Sequence, residues 1–306
     1  MFHGKVPLMW CDFIRNVVEG PTIYEIVTDL DKVKKILYDK LDDYNMEYPT
    51  SMKLVFFNDA VRHISRCTRI LKQPRGNVML IGPGGSGRQS LTRMSAYISQ
   101  METFQLELTR GYGPAEFHDD LKSQMVKAGV DGNGVAFLMV DTQIVYESFL
   151  EDINNILNTG EVPNLFPQDE MNAICENLRP ELKHLETRDQ LWQAFVQRVR
   201  DNLHMILCMS PIGDSLRVRC RQFPSLINCT TIDWFDQWPR EALRTVAKMF
   251  LADVPQIQDD EVRASIGEMC AEVHLSSKNV FGERFWDQLR RKVYTTPKRC
   301  VAITMP

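Results

Sequence analysis

The sequence predicts an α/β fold in which a doubly wound parallel sheet is followed by a smaller helical region. Short apolar runs, typical of buried strands, alternate with helical stretches over residues 51–240. A glycine-rich turn of phosphate-loop spacing follows one of these strands, and residues 241–297 have helical character throughout. With 306 residues and 44% apolar content, the chain can bury a substantial core.

Three regions are predicted along the chain. Residues 1–50 form a helical connector, residues 51–240 the α/β domain, and residues 241–306 a partial helical domain. Apolar runs predict strands near 78–81, 104–108, 135–140, 204–209 and 226–231. Helical stretches predict crossover helices over 117–130 and 143–158, and Gly with two Pro predicts an ordered loop over 160–170.

Residues 78–90, VMLIGPGGSGRQS, predict a site for nucleotide phosphates. Gly82 and Gly87 bracket four residues, the spacing of GxxxxGK[ST]. Glycines let the backbone curl so that its N–H groups converge on phosphate oxygens, and the helix beginning near Gly87 adds its positive end. A turn that merely packs is the alternative, but four glycines in six positions make it the weaker one. The predicted nucleotide-binding residues are Gly82, Pro83, Gly84, Gly85, Ser86, Gly87, Arg88, Gln89 and Ser90.

Two positions of this motif are altered. Arg88 stands where the motif has Lys, and Gln89 stands where it has Ser or Thr. Arg88 can still place positive charge against phosphate, although its planar fork is bulkier than an ammonium group. The amide of Gln89 is a poorer ligand for Mg²⁺ than a hydroxyl group, so Ser90, one residue later, is predicted to help hold the metal.

The run VAFLMVD predicts a buried strand that ends in Asp141, which we predict to hold Mg²⁺. The alternative role for Asp141 is a helix N-cap after a core strand. The next residue is commonly a Glu that polarises the attacking water, but here it is Thr142, whose hydroxyl cannot act as a general base near neutral pH. The nearest acids that could replace it are Glu147 and Glu151.

Two further features follow the apolar strand predicted at 204–209. Ser210 ends this strand, where a polar group can sense the γ-phosphate, although an ordinary strand end explains it equally well. Arg217, Arg219 and Arg221 then lie two residues apart, either as a solvated face or, in an oligomeric ATPase, as the source of an arginine finger for a neighbouring site.

Several separated segments resemble an AAA+ module of a dynein heavy chain. They are GPGGSGRQSLTR, the segments 139–166 and 208–235, and QWPREAL at 237–243. The resemblance covers about residues 50–297, and it is strongest to the fourth of six modules in axonemal rather than cytoplasmic heavy chains. It implies a P-loop NTPase (AAA+) fold with a C-terminal helical lid, and a site that binds ATP or ADP with Mg²⁺.

The resemblance also implies a role. In that family the first module is the main ATPase and the fourth is regulatory, and axonemal fourth modules resemble this chain in having a weakened Walker A and a Walker B without Glu. Arg219 or Arg221 would act in trans on an adjoining module. In the full-length motor the implied partners are the adjoining modules, intermediate and light chains, and microtubules, and the implied activity is minus-end-directed movement that contributes to cilium movement. The implied locations are the cytoplasm, the cytoskeleton and the axoneme of the cilium.

Three hypotheses therefore stand. The chain is a regulatory nucleotide-binding module with weak or no hydrolysis, a working ATPase that uses Glu147 or Glu151, or a nucleotide-free structural module whose phosphate pocket is blocked by Arg88.

Composition and the chain ends set limits. A net charge of −4 with interspersed signs argues against nucleic-acid binding, and no apolar run or N-terminal signal predicts a membrane span or secretion. The eight scattered cysteines argue against a zinc site and fit a reducing compartment.

In the family that this chain resembles, a helix of the lid continues after residue 297. This chain instead has KRCVAITMP at 298–306, which predicts a truncated lid. Arg284, Arg290 and Arg291 could be second sensors but fit a polar helix face, and none is assigned.

Overall fold

The computed structural model describes residues 9–15, 23–252, 254–255, 257 and 259–290. The strands in these ranges are β1 (Trp10–Cys11), β2 (Glu25–Ile26), β3 (Val78–Ile81), β4 (Glu102–Gln105), β5 (Val135–Val140), β6 (Leu203–Met209) and β7 (Thr231–Trp234). The helices are α1 (Leu30–Glu47), α2 (Asn58–Leu71), α3 (Arg88–Ile98), α4 (Pro114–Gly129), α5 (Ser148–Thr159), α6 (Gln168–Leu178), α7 (Arg188–Asn202), α8 (Ser215–Gln222), α9 (Ser225–Asn228), α10 (Arg240–Ala252), α11 (Asp260–Ser276) and α12 (Gly282–Leu289). A 3₁₀ turn covers Asp141–Gln143, and a π-helical turn covers Ser277–Phe281.

Five parallel strands form the central sheet in the order β4-β5-β6-β3-β7. Ile81 pairs with Met209, and Val140 pairs with Cys208, so β3, β5 and β6 end at the same edge of the sheet. This arrangement confirms the predicted α/β fold with a parallel sheet. It also brings the glycine-rich turn, Asp141 and Ser210 to one edge, where ligands bind in open α/β sheets.

Helices cover both faces of the sheet, which explains the uninterrupted apolar strands. Val78 and Leu80 of β3 belong to a core cluster on one face, with residues of α1, α2 and α3. Met79 and Ile81 belong to a cluster on the other face, with residues of α4, α5, α6 and α7. Because side chains alternate along a strand, each central strand contributes to both cores.

The predicted strand at 226–231 is wrong. Pro224 precedes one turn of helix, α9, and Leu226 is buried there rather than in the sheet. Proline has a φ angle that suits the start of a helix, and this local preference outweighs the apolar run. The strand is β7, beginning at Thr231, and its buried residue is the charged Asp233, which an apolar pattern cannot reveal.

The predicted strand at 104–108 is displaced. β4 covers Glu102–Gln105, and pairing begins with the Glu102 N–H, which donates to the Gly134 carbonyl. At the other end, the Leu106 carbonyl accepts a hydrogen bond from the side chain of Gln143, so the chain leaves the sheet there. A side chain distant in sequence therefore ends this strand.

The first 50 residues contain one long helix and a small sheet in the described part. Asp29 caps α1 by accepting hydrogen bonds from the Asp31 and Lys32 N–H groups. Val33, Leu37 and Leu41 of α1 join the core cluster that contains α2 and α3. β1 and β2 pair antiparallel, which the sequence did not predict. The domain boundary near residue 50 stays a prediction.

The C-terminal helices form a small core of their own, in which Leu243 and Ala247 of α10 pack with Cys270 and Ala271 of α11. The predicted helix over 241–297 is interrupted, since α10 ends at Ala252 and α11 begins at Asp260. Residues 291–306, and with them Arg291 and the predicted truncated ending, lie outside the described residues. None of the described helices is both long enough and apolar enough to cross a membrane.

We expect Gly82→Ala to lower the free energy of unfolding by about 1–3 kcal/mol, because a close backbone approach leaves no room for a side chain. A Cβ at Gly82 would lie 2.6 Å from the Phe235 Cβ and 2.9 Å from its carbonyl oxygen. Gly84→Ala is the matched control, since a Cβ there meets nothing within 4 Å. Urea unfolding of both variants checks this, and equal stability of the two would contradict it.

The stability of the chain should fall as pH drops below about 6.5, partly because His204 is buried as the neutral form. Burial lowers the pKa of His204, whose Nδ1 lies 2.7 Å from the Gly76 carbonyl oxygen. As the pH falls, His204 is protonated in the unfolded chain before it is protonated in the folded chain. The free energy of unfolding therefore decreases by up to about 1.4 kcal/mol per pH unit until His204 of the folded chain is protonated as well.

The variant His204→Asn keeps a donor for Gly76 but does not titrate. Urea unfolding from pH 7.5 to 5.5 should therefore show a shallower decline for this variant than for the original chain. Parallel declines would assign the pH dependence to other groups.

Candidate nucleotide-binding site

The glycine-rich turn leaves the sheet directly after β3. The Gly82 N–H donates to the Met209 carbonyl at 3.1 Å, which holds the start of the turn against the end of β6. Gly85 and Gly87 have φ angles of 71° and 90°, which favour glycine over other residues. The Gly87 carbonyl accepts from the Leu91 N–H at 2.9 Å, so α3 begins immediately after the turn. The N-terminus of this helix therefore faces the turn, as phosphate binding requires.

A cavity of about 410 Å³ lies beside this turn. Its walls come from the segment 53–57, the turn with the start of α3, Trp238, and α10. Leu54, Val55, Val246, Met249 and Phe250 make much of the wall apolar. The size suits a small-molecule ligand, and the combination of an apolar wall with a helix N-terminus suits a base joined to phosphates.

Six of the nine predicted nucleotide-binding residues line this cavity. They are Gly85, Ser86, Gly87, Arg88, Gln89 and Ser90. Gly82, Pro83 and Gly84 belong to the same turn but lie outside the lining. The Trp238 indole N–H donates to the Ser86 carbonyl at 3.3 Å, which ties the turn to the chain before α10. The Ser86 hydroxyl is buried and has no hydrogen-bond partner in the described part of the chain. It is therefore available for a hydrogen bond with a polar group of a ligand in the cavity.

Arg88 is buried, and its Nη1 donates to the Met209 carbonyl. This carbonyl also accepts from the Gly82 N–H, so it holds both ends of the turn. Because a guanidinium group has five N–H donors, this bond leaves others for a phosphate group in the cavity. Arg88 thus has a structural role that the sequence did not predict, alongside its place in the cavity wall.

The Gln89 side chain is engaged toward the sheet. Its Oε1 accepts from Gln105 Nε2 at 3.4 Å, and Gln105 Oε1 accepts from Arg93 of α3. Three side chains therefore connect the first turns of α3 with the edge strand β4. Ser90 remains in the cavity wall, where its hydroxyl group can take part in metal binding.

Asp141 and Ser210 meet at the ends of their neighbouring strands. The Ser210 N–H donates to Asp141 Oδ2 at 3.1 Å, whereas Asp141 Oδ1 has no hydrogen bond to any described residue. Asp141 begins the 3₁₀ turn, and α5 starts only at Ser148, so its carboxylate does not cap that helix. The Ser210 hydroxyl accepts from the Ile212 N–H at 3.4 Å. The backbone of Ser210, rather than its side chain, contacts the acid.

Gln143 shapes this edge of the sheet and was missed in the sequence. It is buried, and its Oε1 accepts from the Val140 N–H at 2.9 Å while its Nε2 donates to the Leu106 carbonyl at 2.6 Å. These bonds fix the 3₁₀ turn, which explains why the helix predicted over 143–158 begins only at Ser148. Thr142 is exposed on the same turn. No periodic pattern marks Gln143, since one of its partners ends β5 and the other directly follows β4.

One of the two candidate arginine fingers, Arg219, binds the nearest candidate acid, Glu147. Arg219 Nη2 and Nε lie 2.8 Å and 3.1 Å from Glu147 Oε1. The arginines lie on helix α8 rather than on an extended segment, so Arg217 and Arg221 share a face of that helix and Arg219 does not. Arg221 is exposed and makes no hydrogen bond or ion pair with the described residues. Glu151 is exposed on α5.

The second-sensor candidates that can be described lie outside the cavity lining. Arg284 and Arg290 are exposed, and neither lines the cavity. The Arg290 guanidinium lies over the Trp286 ring, 5.7 Å from its centroid.

A cluster of polar side chains around the buried Asp233 supports the turn from β7, and the sequence did not predict it. Asp233 accepts from His63 and Arg66 of α2, each at 2.6 Å. The His63 ring stacks on Phe235, with centroids 3.8 Å apart. Phe235 is the residue that approaches Gly82, so this cluster fixes the surface on which the phosphate turn rests.

Known proteins resemble this chain over nearly its whole length. Residues 52–304 match the family described as P-loop containing dynein motor region D4. The chain is 48% identical to dynein axonemal heavy chain 6 of Homo sapiens over 95% of its residues. It is 46% identical to the dynein-1-beta heavy chain of the flagellar inner arm I1 complex of Chlamydomonas reinhardtii over 93%, and 43% identical to dynein axonemal heavy chain 1 of Homo sapiens over 95%. The predicted resemblance to an axonemal dynein heavy chain is confirmed.

The matched region is a small part of each relative, because this chain spans only 7% of the first and third of these heavy chains and 6% of the second. The family match, in contrast, covers most of the present chain. The chain therefore belongs to the family of P-loop containing dynein motor region D4.

Proposed function

We propose that this chain is a regulatory nucleotide-binding module of an axonemal dynein heavy chain. It binds ATP or ADP with Mg²⁺ and hydrolyses ATP weakly or not at all. The observation that carries this proposal is a cavity built on a glycine-rich turn at the sheet edge where β5 leads into Asp141, which is followed by an exposed Thr142. Asp141 itself lies outside the cavity lining. Binding groups are thus present without the group that activates water.

The residues fit a nucleotide as follows. Backbone N–H groups of residues 84–88 would hold the phosphates, and Arg88 would add positive charge beside them. The apolar walls contributed by α10 and the segment 53–57 suit the base. Asp141, with Oδ1 available, and Ser90 would hold Mg²⁺, which when bound offsets the negative charge of the phosphates.

The surroundings of Thr142 support weak hydrolysis. A neutral hydroxyl group is too weak a base to take a proton from water near pH 7, so a carboxylate would have to replace it. Glu147 is engaged by Arg219, and Glu151 is exposed on α5. The working-ATPase hypothesis therefore has no supporting contact among the described residues.

The arginines of α8 support a role in the motor ring. Arg221 is exposed and unpaired within the described part, so it is available to an adjoining module. Arg219 is held by Glu147 of the same chain and would have to leave that carboxylate first. We therefore assign the trans arginine finger to Arg221, with Arg219 as the second candidate.

The remaining functions belong to the whole heavy chain. The relatives are named as axonemal and flagellar heavy chains, which supports a place in the cytoplasm and the ciliary axoneme. Contacts with intermediate and light chains, minus-end-directed movement on microtubules and the beating of cilia are proposed for the complete motor. This module contributes through its ring neighbours.

The purified chain should bind ATP and ADP at micromolar concentration in the presence of Mg²⁺ and release no phosphate above background. Calorimetric titration followed by a phosphate-release assay on the same sample measures both properties. Asp141→Ala should weaken the effect of Mg²⁺ on binding, since it removes the proposed metal ligand. Failure to bind either nucleotide would favour the structural hypothesis, in which Arg88 only ties the turn to Met209.

Thr142→Glu separates binding from hydrolysis in the same assay. If the missing acid limits turnover, this variant should raise phosphate release at least about tenfold, because a placed general base contributes about 10²–10⁴ in rate. Thr142→Gln has a similar size without the carboxylate and should stay at background. If the original chain releases phosphate and Glu147→Gln abolishes this release, the result would instead support the working-ATPase hypothesis.

Arg221→Ala in the full heavy chain should reduce the nucleotide response of the adjoining module, because it removes an exposed positive charge from this module. Arg217→Ala is the matched control, since Arg217 lies on the same face of α8 and is also exposed. Nucleotide-dependent ATPase rates of the motor measure the effect. An unchanged response with Arg221→Ala would refute this assignment, and a loss only with Arg219→Ala would transfer it to Arg219.

A further inference from the structure

A second cavity, of about 640 Å³, lies beside the edge strand β4. Thr103, Phe104 and Gln105 of β4 form one side of it. Tyrosines from the end of α1, from α3 and from the loop before α4 form another, and acidic residues complete the rim. The cavity is larger than the proposed nucleotide cavity, and the functions proposed above leave it without a ligand.

Three tyrosine rings make an aromatic wall. Tyr44 and Tyr48 are stacked with centroids 4.5 Å apart, and Tyr97 meets Tyr44 edge-on at 5.3 Å and Tyr48 at 6.2 Å. Tyr48 is 39% exposed, so part of this wall is open to a ligand. The faces of aromatic rings carry negative potential and attract cations such as guanidinium and ammonium groups.

The charges on the rim favour the same class of ligand. Three carboxylates line the cavity, those of Glu107, Glu116 and Asp120, against one guanidinium group, that of Arg93. Hydrogen bonds from backbone N–H groups, its own and that of Gly113, lower the pKa of Glu116 and keep it charged. Asp120 accepts from the Tyr112 hydroxyl at 2.6 Å, and Arg93 donates to Gln105.

Glu107 is exposed and makes no hydrogen bond or ion pair within the described residues, so its charge is available to a ligand. An excess of carboxylates repels phosphate groups, which argues against a second nucleotide or a nucleic acid in this cavity.

The position of the cavity suggests an extended ligand. β4 pairs only with β5 among the described strands, so it ends the sheet at this side. An edge strand offers N–H and C=O groups to an added strand, and alternate side chains of that strand enter pockets beside it.

We propose that this cavity binds an extended, basic polypeptide segment. The backbone of that segment lies along the outer edge of β4, and an arginine or lysine side chain enters the cavity between the tyrosine wall and the carboxylates. The proposal does not depend on nucleotide binding, because the groups that carry it belong to the second cavity.

The test is a titration of the full 306-residue chain with a blocked hexapeptide of alternating arginine and threonine. The same peptide with citrulline in place of arginine is the control, because citrulline keeps the shape of the side chain without its charge. We expect saturable binding of the arginine peptide, and binding at least about tenfold weaker for the citrulline peptide.

Variants locate the site. Tyr48→Ala should weaken binding about threefold and Tyr48→Phe should preserve it, since the ring rather than the hydroxyl faces the cation. Glu107→Gln should weaken binding about two- to fivefold. Glu186→Gln changes the same charge at an exposed residue outside the cavity lining and should bind as the original chain does. The thermal melting temperature and the circular dichroism spectrum, measured on every variant, show that each is folded.

Several results would overturn the proposal. Equal binding of the two peptides would show that charge is not recognised. An equal loss with Glu107→Gln and Glu186→Gln would assign binding to overall charge, and unchanged binding with Tyr48→Ala would exclude the aromatic wall.

Discussion

One peptide group, between Met209 and Ser210, holds the two halves of the candidate site together. Its carbonyl accepts hydrogen bonds from the Gly82 N–H and from Arg88, and its N–H donates to Asp141. The C=O and N–H groups of a trans peptide point in opposite directions, so a single planar unit reaches both neighbours. This works because β6 lies between β3, which leads into the phosphate turn, and β5, which leads into the acid. A shift at the end of β6 would move the glycine-rich turn and Asp141 together.

The two residues that depart from the phosphate-loop motif, Arg88 and Gln89, both make side-chain hydrogen bonds in this arrangement. Arg88 extends to the end of β6, a contact that gives the bulky guanidinium group a place in the fold. Gln89 bonds to Gln105 of the edge strand. Both residues therefore join the turn and the start of α3 to neighbouring strands.

The two cavities of this module share a lining residue. Arg93 lines both of them and donates to Gln105, which in turn bonds to Gln89 at the start of α3. A basic segment along β4 would contact Gln105 directly. These hydrogen bonds join the start of α3 to the sheet edge.

The sequence by itself determined the α/β class, four of the five sheet strands to within a few residues, the place of the glycine-rich turn and the acid that follows β5. These features depend on local sequence, because apolar runs, glycine spacing and strand ends can be recognised from residues that are neighbours in the chain. The sequence also carried enough similarity to indicate the family. It misplaced the strand at 226–231, where a helix turn after Pro224 replaced the expected pairing.

Only the tertiary structure decided which side chains meet. Arg219 with Glu147, Asp233 with His63 and Arg66, and Gln143 with Leu106 join residues that lie 37 to 170 positions apart. The order of strands in the sheet creates these neighbours, and no local pattern encodes that order. For the same reason, the sequence named the groups of the candidate site, whereas the packing of β6 between β3 and β5 arranged them.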